Sequence, residues 1–220
     1  MELAEFKDKY SGRIFLCGNG PSMGLLTDDQ KERLNEEYLF VGSRFIDWVD
    51  SGLKPSFYIL TERKQSGTWL DDGTWRKASV KIAKFWVNWQ PAPRGWVSIE
   101  HPPSNAHDVK NYGTGCLMGT CVDIGVGLHL SHGKDTPLAM AQVAWYMGFN
   151  EMYLLGCETT NLGKVYAPNM GRNMHAAGIM LPYYERAGHE LPLRDCTFGG
   201  SLAKERGGPL EYVELEEALA

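Results

Sequence analysis

Arg13-Ile14-Phe15-Leu16-Cys17-Gly18-Asn19-Gly20-Pro21-Ser22 is the stretch on which the fold turns. Four apolar residues in a row, stopped by glycine, form the pattern of a short strand buried on both faces of a parallel sheet. Glycine at 18 and 20 lets the backbone turn tightly and approach a phosphate or ribose without a Cβ in the way. Pro21 suits the first position of a helix. Ser22 and the amides of a helix start can face an oxyanion, and Asn19 offers both a donor and an acceptor to a ribose or base edge. The spacing excludes the dinucleotide fingerprint: G-x-G-x-x-G from Gly18 needs glycine at 23, where Met23 stands. A plain strand-to-loop turn would use the same residues, so the turn alone does not establish a ligand.

The same grammar recurs outward from this stretch. Tyr38-Leu39-Phe40-Val41 ends at Gly42, Ser56-Phe57-Tyr58-Ile59-Leu60 follows Pro55, and Glu151-Met152-Tyr153-Leu154-Leu155 ends at Gly156. Asp28 to Glu37 reads as a polar helix with Leu34 turned inward. From Thr136, the residues Leu138, Ala141, Ala144 and Trp145 keep helical spacing, and Gly148 closes that helix at C′. A further helix is expected from Gly178 to Ala187, closed by Gly188. A late strand is expected at Pro192–Cys196 and a short helix at Glu214–Leu219. Val80–Trp89 and Trp96–Ile99 are strand-like, but they sit among Pro91, Pro93, Pro102 and Pro103, together with Trp69, Trp75, Trp86, Trp89 and Trp96. Residues 62–133 are expected to be irregular and to include a lid insertion over a ligand.

Alternating strands and helices predict an α/β fold: a three-layer, Rossmann-like, mostly parallel sheet with helices on both faces. The reading is one nucleotide-binding domain over 1–220. Such sheets bind ligands beyond the carboxyl ends of their strands. That selects Gly18–Ser22, Gly42–Arg44 with Thr61, and Gly156–Thr160.

Composition bounds the function. The chain has 220 residues, 43% hydrophobic, with 22 Lys and Arg against 27 Asp and Glu, for a net charge of -5. That length buries a core without disulfides, and mild acidity argues against a nucleic-acid partner. The five cysteines, Cys17, Cys116, Cys121, Cys157 and Cys196, form no CxxC pair and read as reduced thiols of a cytoplasmic protein. No run approaches the ~20 apolar residues of a spanning helix. A homo-oligomer stays open.

Ile14 to Ser22 resembles the opening strand and loop of bacterial sialyltransferases that use CMP-sialic acid. It also resembles a broader α/β family that includes archaeal 6-hydroxymethylpterin diphosphokinases. Thr136-Pro137-Leu138-Ala139-Met140-Ala141-Gln142-Val143-Ala144-Trp145-Tyr146-Met147-Gly148-Phe149-Asn150 with Glu151 to Glu158 looks like the helix–strand unit both share: a hydroxyl residue, an Ala-rich helix, Gly-aromatic, an apolar strand and Gly-x-acid. Asp195 to Leu202 is similar to the C-terminal strand-turn of the broader family.

The resemblance implies roles by position. Asn19 would contact the nucleotide, as would Ser43, where the sialyltransferases carry Asn. Thr136 begins the shared helix, and Glu158 stands where the acid is usually Asp. With Gly18, Gly20, Pro21, Ser22 and Gly156 these form the expected nucleotide site. His175 falls in the loop that carries the sialyltransferases' general base; a histidine with a reference pKa of ~6.5 can take a proton from an acceptor hydroxyl. Tyr166 lies where tyrosines steady a departing phosphate. Arg44 and Arg63 follow the second and third strands and could neutralise a leaving group, as could Lys64 and Lys134. His129 and His132, three apart, have no third ligand, so no metal site is assigned; His101 and His107 are further histidines of the middle segment.

Three functions follow. The first is a glycosyltransferase moving a sugar from a nucleotide-activated donor to a small hydroxyl acceptor, with no cofactor required. The second is pyrophosphoryl transfer from ATP to a pterin-like alcohol, with Mg near Glu158 and Asp195. The third is a non-catalytic nucleotide-binding module.

Overall fold

The computed structural model describes residues 1–42, 51–60, 79–87, 92–99, 136–158 and 177–220. Its apolar runs form strands β1 (Arg13–Cys17), β2 (Tyr38–Gly42), β3 (Phe57–Leu60), β4 (Ala83–Val87), β5 (Val97–Ile99), β6 (Glu151–Leu155) and β7 (Leu193–Asp195). Every pairing between them is parallel, and the order is β5-β4-β3-β2-β1-β6-β7. The chain therefore builds outward from β1 to β5, then returns to lay β6 on the other side of β1. That reversal is the topological switch point, where such sheets open a crevice. Cys17 pairs with Leu155, so β1 and β6 end level and their exit loops leave side by side.

Helices cover both faces: α1 (Asp28–Glu36), α2 (Thr136–Tyr146), α3 (Ala177–Glu190) and α4 (Leu215–Ala218). Strand alternation sends Ile14, Leu16, Phe40, Ile59 and Leu154 into one core with Leu138, Ala141 and Tyr184. Phe15, Cys17, Val41, Tyr58 and Leu155 enter the other with Leu34, Leu215 and Ala218. A capping box starts α1: Thr27 Oγ1 accepts from the Gln30 amide at 3.2 Å, and Gln30 Oε1 accepts from the Thr27 amide at 2.9 Å. The exposed edge of β7 is covered by the chain returning, with the Asp195 amide donating to Glu211 O at 2.8 Å and the Val213 amide to Asp195 O at 3.0 Å.

The amino ends of the strands meet in aromatic rings. Tyr10 stacks on Phe149 with centroids 5.3 Å apart and meets Phe57 edge-on at 5.4 Å. Tyr38 completes the group, 5.1 Å from Phe149.

Four expectations change. Trp145 shares the spacing of Leu138 and Ala141 but is 39% exposed, because α2 is buried from Pro137 to Ala144 and opens only at its last turn. Gly188 does not end a helix. α3 runs through it to Glu190, and the glycine is there for packing: a Cβ on it would lie 2.6 Å from Leu210 Cδ2. Gly42 belongs to β2 rather than following it. Inside 62–133, residues 83–87 and 97–99 are regular strands of the main sheet; the lid reading falls on residues outside those described. Cys17, Cys157 and Cys196 are buried free thiols. Among the described residues, no helix is long and apolar enough to cross a membrane.

Candidate functional site

Two loops meet at the switch point. The Gly18 amide donates to Leu155 O at 2.7 Å and the Gly20 amide to Gly156 O at 2.8 Å, so the turn after β1 is bonded to the exit of β6. A Cβ on Gly18 would overlap Gly156 O, and one on Gly20 would overlap the Glu158 carboxylate. Contact between two loops of the protein thus already requires both glycines, before any ligand is considered. Gly156 itself is held at φ +70, in the left-handed region.

Pro21 opens a short 3-10 helix, Pro21–Leu25. The Ser22 amide, expected to face an external oxyanion, donates instead to Glu158 Oε1 at 2.6 Å. The anion on this turn belongs to the chain. Glu158 is held through its backbone as well: its carbonyl accepts from the Ser201 amide at 3.3 Å and from Ser201 Oγ at 3.1 Å.

Behind Glu158 lies Asp195, fully buried at the end of β7. Its Oδ1 accepts from the Thr197 amide at 2.9 Å, and Thr197 Oγ1 accepts from the Cys157 amide at 3.1 Å, which ties the exits of β6 and β7 together. Among the described residues, Glu158 Oε2, Asp195 Oδ2 and Ser22 Oγ are buried and make no hydrogen bond of good geometry. Buried polar atoms left in this state are rare and costly. Burial pushes the Asp195 carboxyl up to about 6; Thr197 and the charge of Arg206 oppose the shift and that of Glu158 adds to it. Burial also raises Glu158 above its ordinary value, against the pull of Ser22.

Arg206 fastens the adjoining turn. It donates to Gly200 O and, at 3.1 Å, to Thr197 O, with its guanidinium 4.7 Å from the centre of the Tyr212 ring. Phe198 projects from that turn, 68% exposed. At the neighbouring strand, Thr136 begins α2 with its methyl where Gly42 has no side chain; a Cβ there would overlap Thr136 Cγ2. Thr136 therefore stands at the carboxyl end of β2.

The structure brings together Gly18, Asn19, Gly20, Pro21, Ser22, Gly156 and Glu158, with Thr136 at the end of β2, the strand next to β1. Ser43, Arg44, Arg63, Tyr166 and His175 lie outside the described residues, as do Thr61, Lys64, Lys134, His101, His107, His129 and His132. Sequence reading assigned no role to Thr197 or Arg206 and reached Asp195 only through resemblance. A signal was present: Asp two residues before Thr is the spacing of an Asx turn, which Asp195 and Thr197 form. Among the described residues, no three His, Cys, Asp or Glu gather to hold a metal ion; Glu158 and Asp195 are a pair.

No protein-family model matches the chain, and no curated protein sequence does. Among solved structures it is similar to the MAf glycosyltransferase from Magnetospirillum magneticum AMB-1, with a TM-score of 0.55 and 14% identity. The similarity covers 97% of this chain and 37% of that one, so the chain spans little more than a third of that protein's length. What the two share at this identity is the fold: an α/β architecture around a parallel sheet.

Proposed function

We propose that the protein is a glycosyltransferase that moves a sugar from a nucleotide-activated donor to a hydroxyl acceptor. One observation carries the reading: the loops after β1 and β6 meet at the switch point of a parallel sheet, where polar groups of both loops are bonded to one another. The fold shared with a glycosyltransferase, and the resemblance to sialyltransferases along Ile14–Ser22 and Thr136–Glu158, support it. In this reading the Asn19 turn, Ser43 and Thr136 hold the nucleotide. The acceptor oxygen attacks the anomeric carbon as its proton passes to His175. The bond from that carbon to the phosphate breaks, and its electron pair leaves with the nucleotide, steadied by Arg44, Arg63 and Tyr166. No metal is required.

Calorimetric titration with CMP, UDP and ATP, each with and without magnesium, tests the binding half; metal-independent binding of CMP or UDP is expected. Transfer from the matching nucleotide sugar should fall by about 100-fold or more in His175→Ala, at the scale of a lost general base. Wild-type turnover in that variant would remove His175 from the mechanism.

The buried pair Glu158 and Asp195, each with an oxygen that none of the described residues satisfies, favours a second reading: magnesium-dependent pyrophosphoryl transfer from ATP. ATP binding seen only with magnesium would select it.

A further inference from the structure

Arg206 ends a short 3-10 helix, Lys204–Arg206. It is an exposed residue, yet its guanidinium is held on three sides. Nε donates to Gly200 O, Nη2 donates to Thr197 O at 3.1 Å, and the centre of the Tyr212 ring lies 4.7 Å away. The two carbonyls are the ends of one four-residue turn, Thr197–Gly200. That turn also closes on itself, with the Gly200 amide donating to Thr197 O at 3.2 Å and Gly199 at φ +72. A planar fork of donors matches two carbonyls in fixed positions; a lysine ammonium is a point charge and does not.

Peptide geometry carries this grip further. Gly200 O and the Ser201 amide belong to one peptide group, which is planar and trans, so holding the carbonyl aims the N–H. That N–H donates to Glu158 O at 3.3 Å, and Ser201 Oγ donates to the same oxygen at 3.1 Å. A carbonyl bonded to a cation also polarises its peptide, which makes the N–H a stronger donor. Glu158 is thus held at its backbone. Its carboxylate in turn accepts from the Ser22 amide at 2.6 Å, with the Ser22 hydroxyl beside it. Thr197 adds a parallel tie, its Oγ1 accepting from the Cys157 amide at 3.1 Å. The exits of β7, β6 and β1 are therefore joined in series, with Arg206 at the outer end.

We propose that Arg206 is a positioning residue for the Gly18–Ser22 turn, acting through the Gly200–Ser201 peptide and Glu158. It needs no contact with a ligand. Its role in binding rests on the reading of the preceding section, in which that turn holds the nucleotide; the mechanical link rests on the hydrogen bonds alone.

Hydrogen exchange of the full chain, read peptide by peptide, tests the link. Arg206→Ala and Arg206→Lys are compared with the wild type well below their melting temperatures. Arg206→Ala should speed exchange of the peptide that carries Ser22 by roughly 5- to 10-fold, within the range that a lost bond to a charged group brings. Peptides from β2 and β3 should not change. Arg206→Lys keeps the charge and loses the fork, so it should lie close to Arg206→Ala. Calorimetric titration with CMP should show Kd rising by a similar factor at unchanged stoichiometry; a variant that was merely less stable would lose stoichiometry and keep its Kd. In a Glu158→Ala background the series is cut, and adding Arg206→Ala should leave exchange at Ser22 where it stands. Exchange at Ser22 that is unchanged in Arg206→Ala, or that rises equally in β2 and β3, would overturn the inference and leave the nucleotide reading intact. So would a lysine variant that matches the wild type, or an equal effect of Arg206→Ala with and without Glu158. Faster exchange with an unchanged Kd would overturn the role in binding. A wild type that binds neither CMP nor UDP would overturn the nucleotide reading, and the exchange pattern would still decide the link. If Arg206→Ala does not fold, Arg206→Lys decides by the same pattern.

Discussion

The two ends of one sheet are built to opposite rules. At the amino ends, Tyr10, Tyr38, Phe57 and Phe149 lock together as large rings. At the carboxyl ends, Gly18, Gly20, Gly42 and Gly156 let loops and side chains close on one another, and Glu158 and Asp195 keep oxygens that none of the described residues satisfies. The same strands run between both rims, so the strands do not impose the difference. It lies in what each rim gives up. The aromatic rim buries apolar surface and fixes the sheet; the glycine rim sacrifices hydrogen bonds and leaves charge partly buried. Proteins tolerate such local conflict where a ligand resolves it.

The largest expected effect tests the aromatic rim. Phe57→Ala should destabilise the protein by about 3–5 kcal/mol, since it deletes a fully buried ring at the centre of the cluster. Urea unfolding measures this. Nucleotide affinity per folded molecule should not change; a parallel loss of affinity would show that the two rims are not separable.

Asp195→Asn should act in the opposite direction. The folded protein holds this carboxyl at about 6, above its ordinary 3.8, so the fold favours the protonated acid. The wild type should therefore be most favoured below pH 4 as far as this group is concerned. It should lose on the order of 3 kcal/mol as pH rises from 3.8 through 6, at 1.36 kcal/mol per pKa unit. The asparagine variant keeps an acceptor for the Thr197 amide but carries no proton to lose, so this slope should vanish and the variant should be the more stable protein above pH 7. Unfolding curves at intervals from pH 3.5 to 7.5 read the difference, with Glu158 and Arg206 as the charges facing the group. A wild-type slope that survives in the variant would place the titration elsewhere.

A smaller effect sharpens the glycine rim. Gly20→Ala forces a methyl onto the Glu158 carboxylate and should cost about 1–3 kcal/mol, the usual range for overpacking. In a Glu158→Ala background the same change should cost less, because the obstructing side chain is gone and only the Gly156 carbonyl, 2.7 Å from the added Cβ, remains. Thermal melts of the two single variants and the double variant measure the coupling. Additive costs would mean that Gly20 is required by backbone contact with Gly156 alone.

Much of the sheet was legible because its signals are local. Ile14–Cys17, Leu39–Val41, Phe57–Leu60 and Met152–Leu155 are apolar runs with punctuation at their ends, and period alone assigns them. Gly148, too, is read correctly by a local rule: it closes α2 at φ +101. Gly188 defeats the same rule because its reason for being glycine is Leu210, a tertiary neighbour. The site fails to read for the same cause. Nothing near Ser22 in sequence announces that its amide is filled by Glu158, and nothing near Asp195 announces that one oxygen will lack a donor. The glycine turn drew attention to the right loop, but its partner was visible only once β6 lay beside β1.

That pairing bears on how the molecule is made. The bond from Ser22 to Glu158 spans 136 residues, and the register of β1 with β6 is slightly more distant still. Contacts so far apart close late, and folds rich in them form slowly. During synthesis, β1 can pair with β2 while its other edge waits for β6, an apolar edge open to association with other chains. When β6 arrives it shields that edge and, in the same event, brings the Gly18–Ser22 turn against Glu158. Nascent chains short of β6 therefore carry an open strand edge and no such pairing, whereas every chain in which Ser22 meets Glu158 has already covered the edge of β1.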